Sequence, residues 1–334
     1  MSEFRLNPAT GEWVIVAAER RRRPEEHARP TRRRHVASYV QGCPFCAGNE
    51  AQTPPAVLES ADPAANGPWG VRVFPNRFPA LEPSPPSAAA SQGPLFTAVS
   101  GEGAHEVVVE TPVHNRFPAL RSDDEIRLMV QAYQQRYLAL MARPSTEYVL
   151  VFKNQGEAAG TSIEHPHSQI IAAPVVPESV WRSGEIAREH HRRSGRCLQC
   201  QLAEEEMRVG SRVVHRDDRF VVFHPFAAAS PAETWIVPLD HQPSFGWVGE
   251  SALAAFASVL ARTLRQLSAG FGDPDFNYAI HSAPRTEEDQ PYWHWRLQLI
   301  PRLTKAAGFE LGSGIYINIA SPETTAETMR LAPV

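Results

Sequence analysis

Short β-branched and aromatic runs recur along the chain, among them "HEVVVETPV", "YVLVFKN", "FVVFH", "TWIVPL" and "RLQLIP". Runs of that length and make-up predict strands. Between them lie two longer stretches, "SDDEIRLMVQAYQQRYLALMA" and "SALAAFASVLARTLRQLSAG", whose apolar residues return at helical spacing. Each opens on a serine, read here as an N-terminal helix cap. Strands, one long helix and further strands occur in that order twice. The predicted class is α+β, with two tandem halves packed as one pseudo-symmetric unit, each an antiparallel sheet with a long helix before its last strands. The halves are drawn as residues 1–180 and 181–334.

At 334 residues, 43% hydrophobic and 21% charged, the chain can bury a large core. No apolar stretch reaches the length of a membrane span, and the start lacks the order of a secretory signal, so the expectation is a cytoplasmic protein without a membrane partner. A net charge of −4 argues against a general nucleic-acid binder, which needs excess lysine and arginine to replace phosphate counterions. The runs Arg20 to Arg23 and Arg32 to Arg34 read as a solvated segment.

All four cysteines lie in two CxxC pairs, Cys43/Cys46 in "GCPFC" and Cys197/Cys200 in "RCLQC". Two thiolates with a two-residue spacer can grip one tetrahedral ion, zinc by default. A redox pair would sit at a strand-to-helix junction, whereas "QGCPFCAGNEAQTPP" reads as a loop. Each CxxC is followed by matched strands and histidines. Cys43 and Cys46 precede Cys197 and Cys200 by 154 residues, His114 precedes His241 by 127, and His165 precedes His294 by 129. The insertion "LEPSPPSAAASQGPL", present only in the first copy, accounts for the drop. Two Cys₂His₂ metal sites follow: Cys43, Cys46, His114 and His165, then Cys197, Cys200, His241 and His294. His281, His215 and His224 are the alternatives for the second pair of histidines.

The copies differ in one telling place. The first carries His165, His167 and Gln169 on alternate positions of a strand, and the second carries His294, Arg296 and Gln298 in the same register. An imidazole can act as a nucleophile or move a proton, and a guanidinium can do neither. With the outer histidine as metal ligand, His167 is the reactive group and the second half lacks it. Asn154, Ser162, Gly156 and Gly160 lead into the strand and offer short donors and close backbone approach to a phosphoryl group.

The HxHxQ strand downstream of CxxC and a lone histidine, with "NPATGEWVIVAAERRRRP" and "AGFELGSGIYIN", resembles the galactose-1-phosphate uridylyltransferases, the transferase branch of the histidine-triad superfamily. The resemblance covers nearly the whole chain and implies two histidine-triad-like halves. It also implies a ping-pong reaction in which His167 takes a uridylyl group from UDP-glucose, with Gln169 binding the phosphate, before passing it to a hexose 1-phosphate. Asn154, Ser162 and Asn76 match phosphate- and nucleotide-contacting positions, Arg20 and Arg23 match arginines that act across a homodimer, and Phe309 and Glu310 match the sugar-phosphate segment. The substrates implied are a nucleotide sugar and a sugar 1-phosphate, with two zinc ions per chain. Other nucleotide sugars such as ADP-glucose, or a zinc-stabilised binding module without activity, are the alternatives. Well-known members carry glycine at Ser168 and asparagine at Glu164 and have a later glutamine not evident near Tyr316, and the second site here, CxxC plus two histidines, is unlike the iron site of some members.

Overall fold

The computed structural model describes residues 2–22, 36–61, 68–84, 91, 93 and 95–334. Strands β1 (Glu3–Leu6), β2 (Trp13–Val16), β3 (Leu58–Ser60), β4 (Val71–Pro75) and β5 (Ala104–Val109) precede helix α1 (Asp123–Met141) and strands β6 (Tyr148–Gln155) and β7 (His167–Ala173). Helices α2 (Glu178–Ser194) and α3 (Leu198–Val209) lead to β8 (Val213–Arg216), β9 (Phe220–Phe223) and β10 (Thr234–Pro238). Helix α4 (Glu250–Phe271), β11 (Phe276–His281), β12 (Arg296–Pro301), α5 (Gly308–Ser313), β13 (Tyr316–Asn318) and α6 (Pro322–Leu331) complete the chain.

Ten strands form one antiparallel sheet in the order β3-β4-β5-β7-β6-β11-β12-β10-β9-β8. Counted outward from the middle, both sides run in the same order: β6, β7, β5, β4, β3 on one and β11, β12, β10, β9, β8 on the other. The two central strands pair from Gln155 with Phe276 to Val151 with Ile280. Helices α1 and α4 pack together over one face. Ile126, Met129, Val130 and Tyr133 of α1 and Phe256, Leu260 and Leu264 of α4 meet Val149, Val151, Ile170, Ile280, Leu297 and Leu299 of the sheet in one core. Each fully buried aliphatic or phenylalanine side chain contributes about 1.5–3 kcal/mol relative to exposure.

Ser122 caps α1 as the sequence predicts. Its hydroxyl accepts from Glu125 N–H at 3.2 Å, and the Glu125 carboxylate accepts from Ser122 N–H at 2.7 Å. The second helix departs from the reading. It begins at Glu250, with Gly249 at the cap in an extended conformation and Ser251 already inside the first turn. Glu250 there places a carboxylate at the positive end of the helix dipole.

A three-stranded sheet, β1-β2-β13, joins the two ends of the chain, with β13 parallel to β2. Arg5 fixes it to the second half, donating to Glu323 of α6 at 2.9 Å and to the Phe226 carbonyl at 3.0 Å. Among the described residues no helix is long and apolar enough to cross a membrane.

Candidate active site and two metal-binding clusters

Cys43 and Cys46 lie in a turn, His114 follows β5, and His165 sits just before β7. The strand therefore starts two residues later than the HxHxQ pattern predicts. The four groups nevertheless meet, with ligand atoms all within 4.8 Å of one another and every residue buried. Cys46 Sγ lies 3.4 Å from His114 Nδ1 and 3.7 Å from His165 Nδ1, and Cys43 Sγ lies 3.7 Å from His165 Nδ1. A tetrahedral zinc with ordinary bond lengths gives sulfur-to-nitrogen edges of roughly 3.5 Å. His165 Nε2 donates to the Thr111 carbonyl at 2.7 Å, which turns Nδ1 toward the thiols. Burial pushes the Cys43 thiol up to about 11, and a coordinating cation reverses that preference by deprotonating it. The donor set fits a structural zinc.

The second cluster repeats the device. Cys197 caps α3 and Cys200 lies in its first turn, so this CxxC is helical where the first is a turn. Cys200 Sγ lies 3.4 Å from His241 Nδ1 and 3.3 Å from His294 Nδ1, and His294 Nε2 donates to the Pro238 carbonyl at 3.0 Å. His241 is exposed, so this cluster is more open than the first. The alternative histidines are elsewhere engaged or apart from it. His281 bonds Gln298 at 2.9 Å and His224 bonds Thr325 at 2.8 Å, while His215 is on β8.

His167 stands outside the first cluster. Its Nδ1 is 2.8 Å from the His165 carbonyl, which can only accept, so the proton sits on Nδ1 and Nε2 keeps its lone pair. Burial holds the ring's pKa below its ordinary value, which favours that neutral form. Phe45 packs edge-on against it, with ring centres 5.2 Å apart. In the second half Arg296 lies over the Trp235 ring at 4.5 Å, where it offers no nucleophile.

Behind the strand lies a charged network that local sequence did not expose. Glu110 accepts from Lys153 Nζ at 2.9 Å and from Arg121 Nη1 at 3.0 Å, and all three side chains are buried. Lys153 also donates to the His167 carbonyl at 3.0 Å. Burial alone would raise the Glu110 carboxyl, but the Lys153 and Arg121 charges hold it below the usual carboxylate range. Ser168, on the face opposite His167, donates to Glu110 and lies 2.5 Å from the Tyr133 hydroxyl. Ser168 thus serves this network and the core. Glu110→Gln is expected to cost about 3–5 kcal/mol, because it strands two buried cations. Denaturant titration checks this; an unchanged midpoint would mean that the network is not what holds the strand.

The other sequence-picked residues fall into three groups. Asn154 is on β6 rather than in the loop, and its side-chain oxygen accepts from Asn277 at 2.7 Å, leaving its NH₂ without a hydrogen-bond partner among the described residues. The turn after it depends on Gly156, at φ +88°, where a Cβ would collide with the Asp275 carboxylate. Ser162 is exposed beyond that turn, and Asn76 follows β4. Arg20 lies in a short turn after β2 with its Nε buried and without a partner among the described residues, and Arg23 lies outside them. Phe309 and Glu310 are on α5, where Phe309 is exposed and Glu310 accepts from the Ala307 N–H at 3.0 Å. No hydrogen bond or ring contact among the described residues links either to His167.

One polar neighbour was missed outright. His105 on β5 has its Nε2 2.7 Å from Gln169 Oε1. Its only sequence signal is a histidine that alternates with the apolar positions of a strand.

The family model for the N-terminal domain of galactose-1-phosphate uridyl transferase matches residues 1–177. The chain is 34% identical to the ADP-glucose phosphorylase of Arabidopsis thaliana over 98% of its length and 92% of the relative's. It is 28% identical to the galactose-1-phosphate uridylyltransferase of Thermotoga maritima, over 99% and 98%. Among solved structures, the Arabidopsis ADP-glucose phosphorylase with bound ADP-glucose superposes with a TM-score of 0.84 at 32% identity, covering 100% of this chain and 99% of that one. A uridylyltransferase structure gives 0.75 at 28% identity, covering 99% and 97%. With the cluster, the buried imidazole and the doubled sheet in one chain, these likenesses lead to a single placement: the protein belongs to the galactose-1-phosphate uridyl transferase family.

Proposed function

We propose that the protein transfers a nucleotidyl group through His167, with residues 1–180 carrying the chemistry and 181–334 a copy without the nucleophile. The observation that carries the reading is the 2.8 Å bond between His167 Nδ1 and the His165 carbonyl, which leaves Nε2 free to react. In the first half-reaction the Nε2 lone pair attacks the α-phosphorus of a nucleoside diphosphate hexose. The N–P bond forms as the P–O bond to the sugar phosphate breaks, and hexose 1-phosphate leaves with the electron pair. In the second, a phosphate oxygen of the acceptor attacks the same phosphorus and the imidazole departs. Gln169, Asn154 and Ser162 supply donors to the phosphoryl oxygens, and Asn76 contacts the nucleotide. Phe309 and Glu310 hold the sugar phosphate. Both clusters hold zinc, which fixes the strand in register without taking part in the transfer.

Uridylyl transfer from UDP-glucose to a hexose 1-phosphate is the first form of this reading, supported by the uridylyltransferases among the relatives. Phosphorolysis of ADP-glucose is the second, supported by the higher identity and TM-score toward the Arabidopsis phosphorylase. Donor-only incubation followed by intact mass spectrometry separates them. A uridylyl adduct on His167, discharged by galactose 1-phosphate, is the expected result. An adduct from ADP-glucose alone, discharged by orthophosphate, selects the second form, and no adduct from either donor overturns both.

The same reading makes the protein a cytoplasmic homodimer in which Arg20 and Arg23 reach a nucleotide across the interface. The buried Nε of Arg20, unpartnered among the described residues, and the exposed Phe4, Leu6, Trp13 and Tyr316 on the three-stranded sheet support it.

A further inference from the structure

Around Gln169 the hydrogen bonds fix which end of the amide faces which way. Ala80 N–H donates to His105 Nδ1 at 3.1 Å, and a backbone amide can only donate. Nδ1 therefore carries a lone pair, and the neutral ring has its proton on Nε2. That N–H points to Gln169 Oε1, 2.7 Å away, and the glutamine NH₂ is left without a protein partner among the described residues. Asn76 is fixed in the same way. Its Oδ1 accepts from Phe78 N–H at 2.9 Å, so its NH₂ is the group 3.2 Å from His105 Nε2, and two N–H groups cannot bond each other. Two amide NH₂ groups are thus held beside one imidazole with no acceptor for them among the described residues. Donors without acceptors suit an anionic oxygen.

The second half shows what happens when that position changes. Gln169 pairs with Val107, and His105 stands two residues before it. Gln298 pairs with Trp235, and Glu233 stands two residues before that. Glu233 is an acceptor, and there the amide is reversed: Gln298 Nε2 donates to Glu233 at 2.8 Å while its Oε1 is 2.9 Å from His281 Nε2. A donor at this strand position turns the glutamine oxygen toward itself, and an acceptor takes the nitrogen. Only the half with the nucleophile has the donor.

We propose that His105 is a positioning residue that orients Gln169 so that its NH₂, and not its oxygen, meets the phosphoryl group transferred to His167. The proposal rests on the nucleotidyl-transfer reading. Two substitutions divide the ring's duties. His105→Gln keeps an N–H where Nε2 lies but loses the acceptor for Ala80, and His105→Asn keeps that acceptor but loses the N–H toward Gln169.

The experiment is the rate of His167 nucleotidylation in the full-length protein, followed by rapid quench and intact mass. At saturating donor, His105→Asn and His105→Ala are expected to be slower on the order of 10²-fold, the scale of one lost oxyanion donor, with donor KM little changed. His105→Gln is expected to stay close to wild type. In a Gln169→Ala background His105→Asn should have no further effect, because the two residues act as one unit. If His105→Asn keeps wild-type rates while His105→Gln is as slow as His105→Ala, the histidine only anchors the 76–80 segment and the proposal is wrong. Additive losses in the double variant overturn it too. Failure of the wild type itself to accept a nucleotide is a different result, since it removes the reaction on which the proposal rests.

Discussion

His167→Asn is expected to abolish transfer, by a factor on the order of 10⁴ to 10⁶, while metal content and melting temperature stay at wild-type values. The size follows from the position of the ring. Among the described residues the other imidazole on this segment offers no lone pair in the same place: His165 Nδ1 faces the thiols, and its Nε2 is bonded to the Thr111 carbonyl. Asparagine keeps an amide N–H near the place of Nδ1, so the bond to the His165 carbonyl can persist and the fold has no reason to respond. Two assays decide the matter together, the half-reaction by mass spectrometry and metal analysis of the same sample. Transfer that survives would remove the nucleophile from His167. Loss of metal would mean that its role and that of His165 are exchanged.

Cys46→Ala is expected to have the largest structural effect. Cys46 is almost wholly buried and its sulfur faces both histidines of the first cluster. Structural zinc in small domains contributes apparent energies of about 10 kcal/mol or more, comparable with the whole stability of a domain. The variant should therefore fail to bind metal there and should melt far below wild type, with the catalytic strand the first element released. Cys200→Ala is the contrast. Its cluster includes the exposed His241, so a chelator should strip it first and more quickly. Metal stoichiometry and circular dichroism on the two variants test the ordering. A Cys46→Ala protein with wild-type melting would show that the thiols do not hold the fold together.

What could be read in advance was whatever repeats at short range. The CxxC spacing, the histidines that follow in order and the period-2 placement of His165, His167 and Gln169 are local patterns, and they converge as expected into two clusters and one free imidazole. Ser122 as a cap was also local, being set by its neighbour Glu125. The polar groups that act across the sheet were not legible. Glu110, Lys153 and Arg121 are ordinary charged residues until α1 covers the strands and excludes water from them. His105 acquires meaning only from Gln169 on the next strand and Ala80 in a distant loop. Helix α2 is mostly polar and buries only Val180 and Gly184, so it held too few apolar residues to declare itself. The pairing of β13 with β2 joins opposite ends of the chain, and no window of sequence contains both.

The antiparallel join of β6 to β11 in the middle of the large sheet has a consequence for biogenesis. During translation β6 emerges long before β11 exists, so the growing chain holds an open flank from Val151 to Gln155, where the amides and carbonyls that face β11 have no neighbour. Expressed alone, the earlier half would present this flank permanently to other copies of itself. In the folded chain the later half removes that hazard, since β11 closes the flank that its sibling would otherwise leave open.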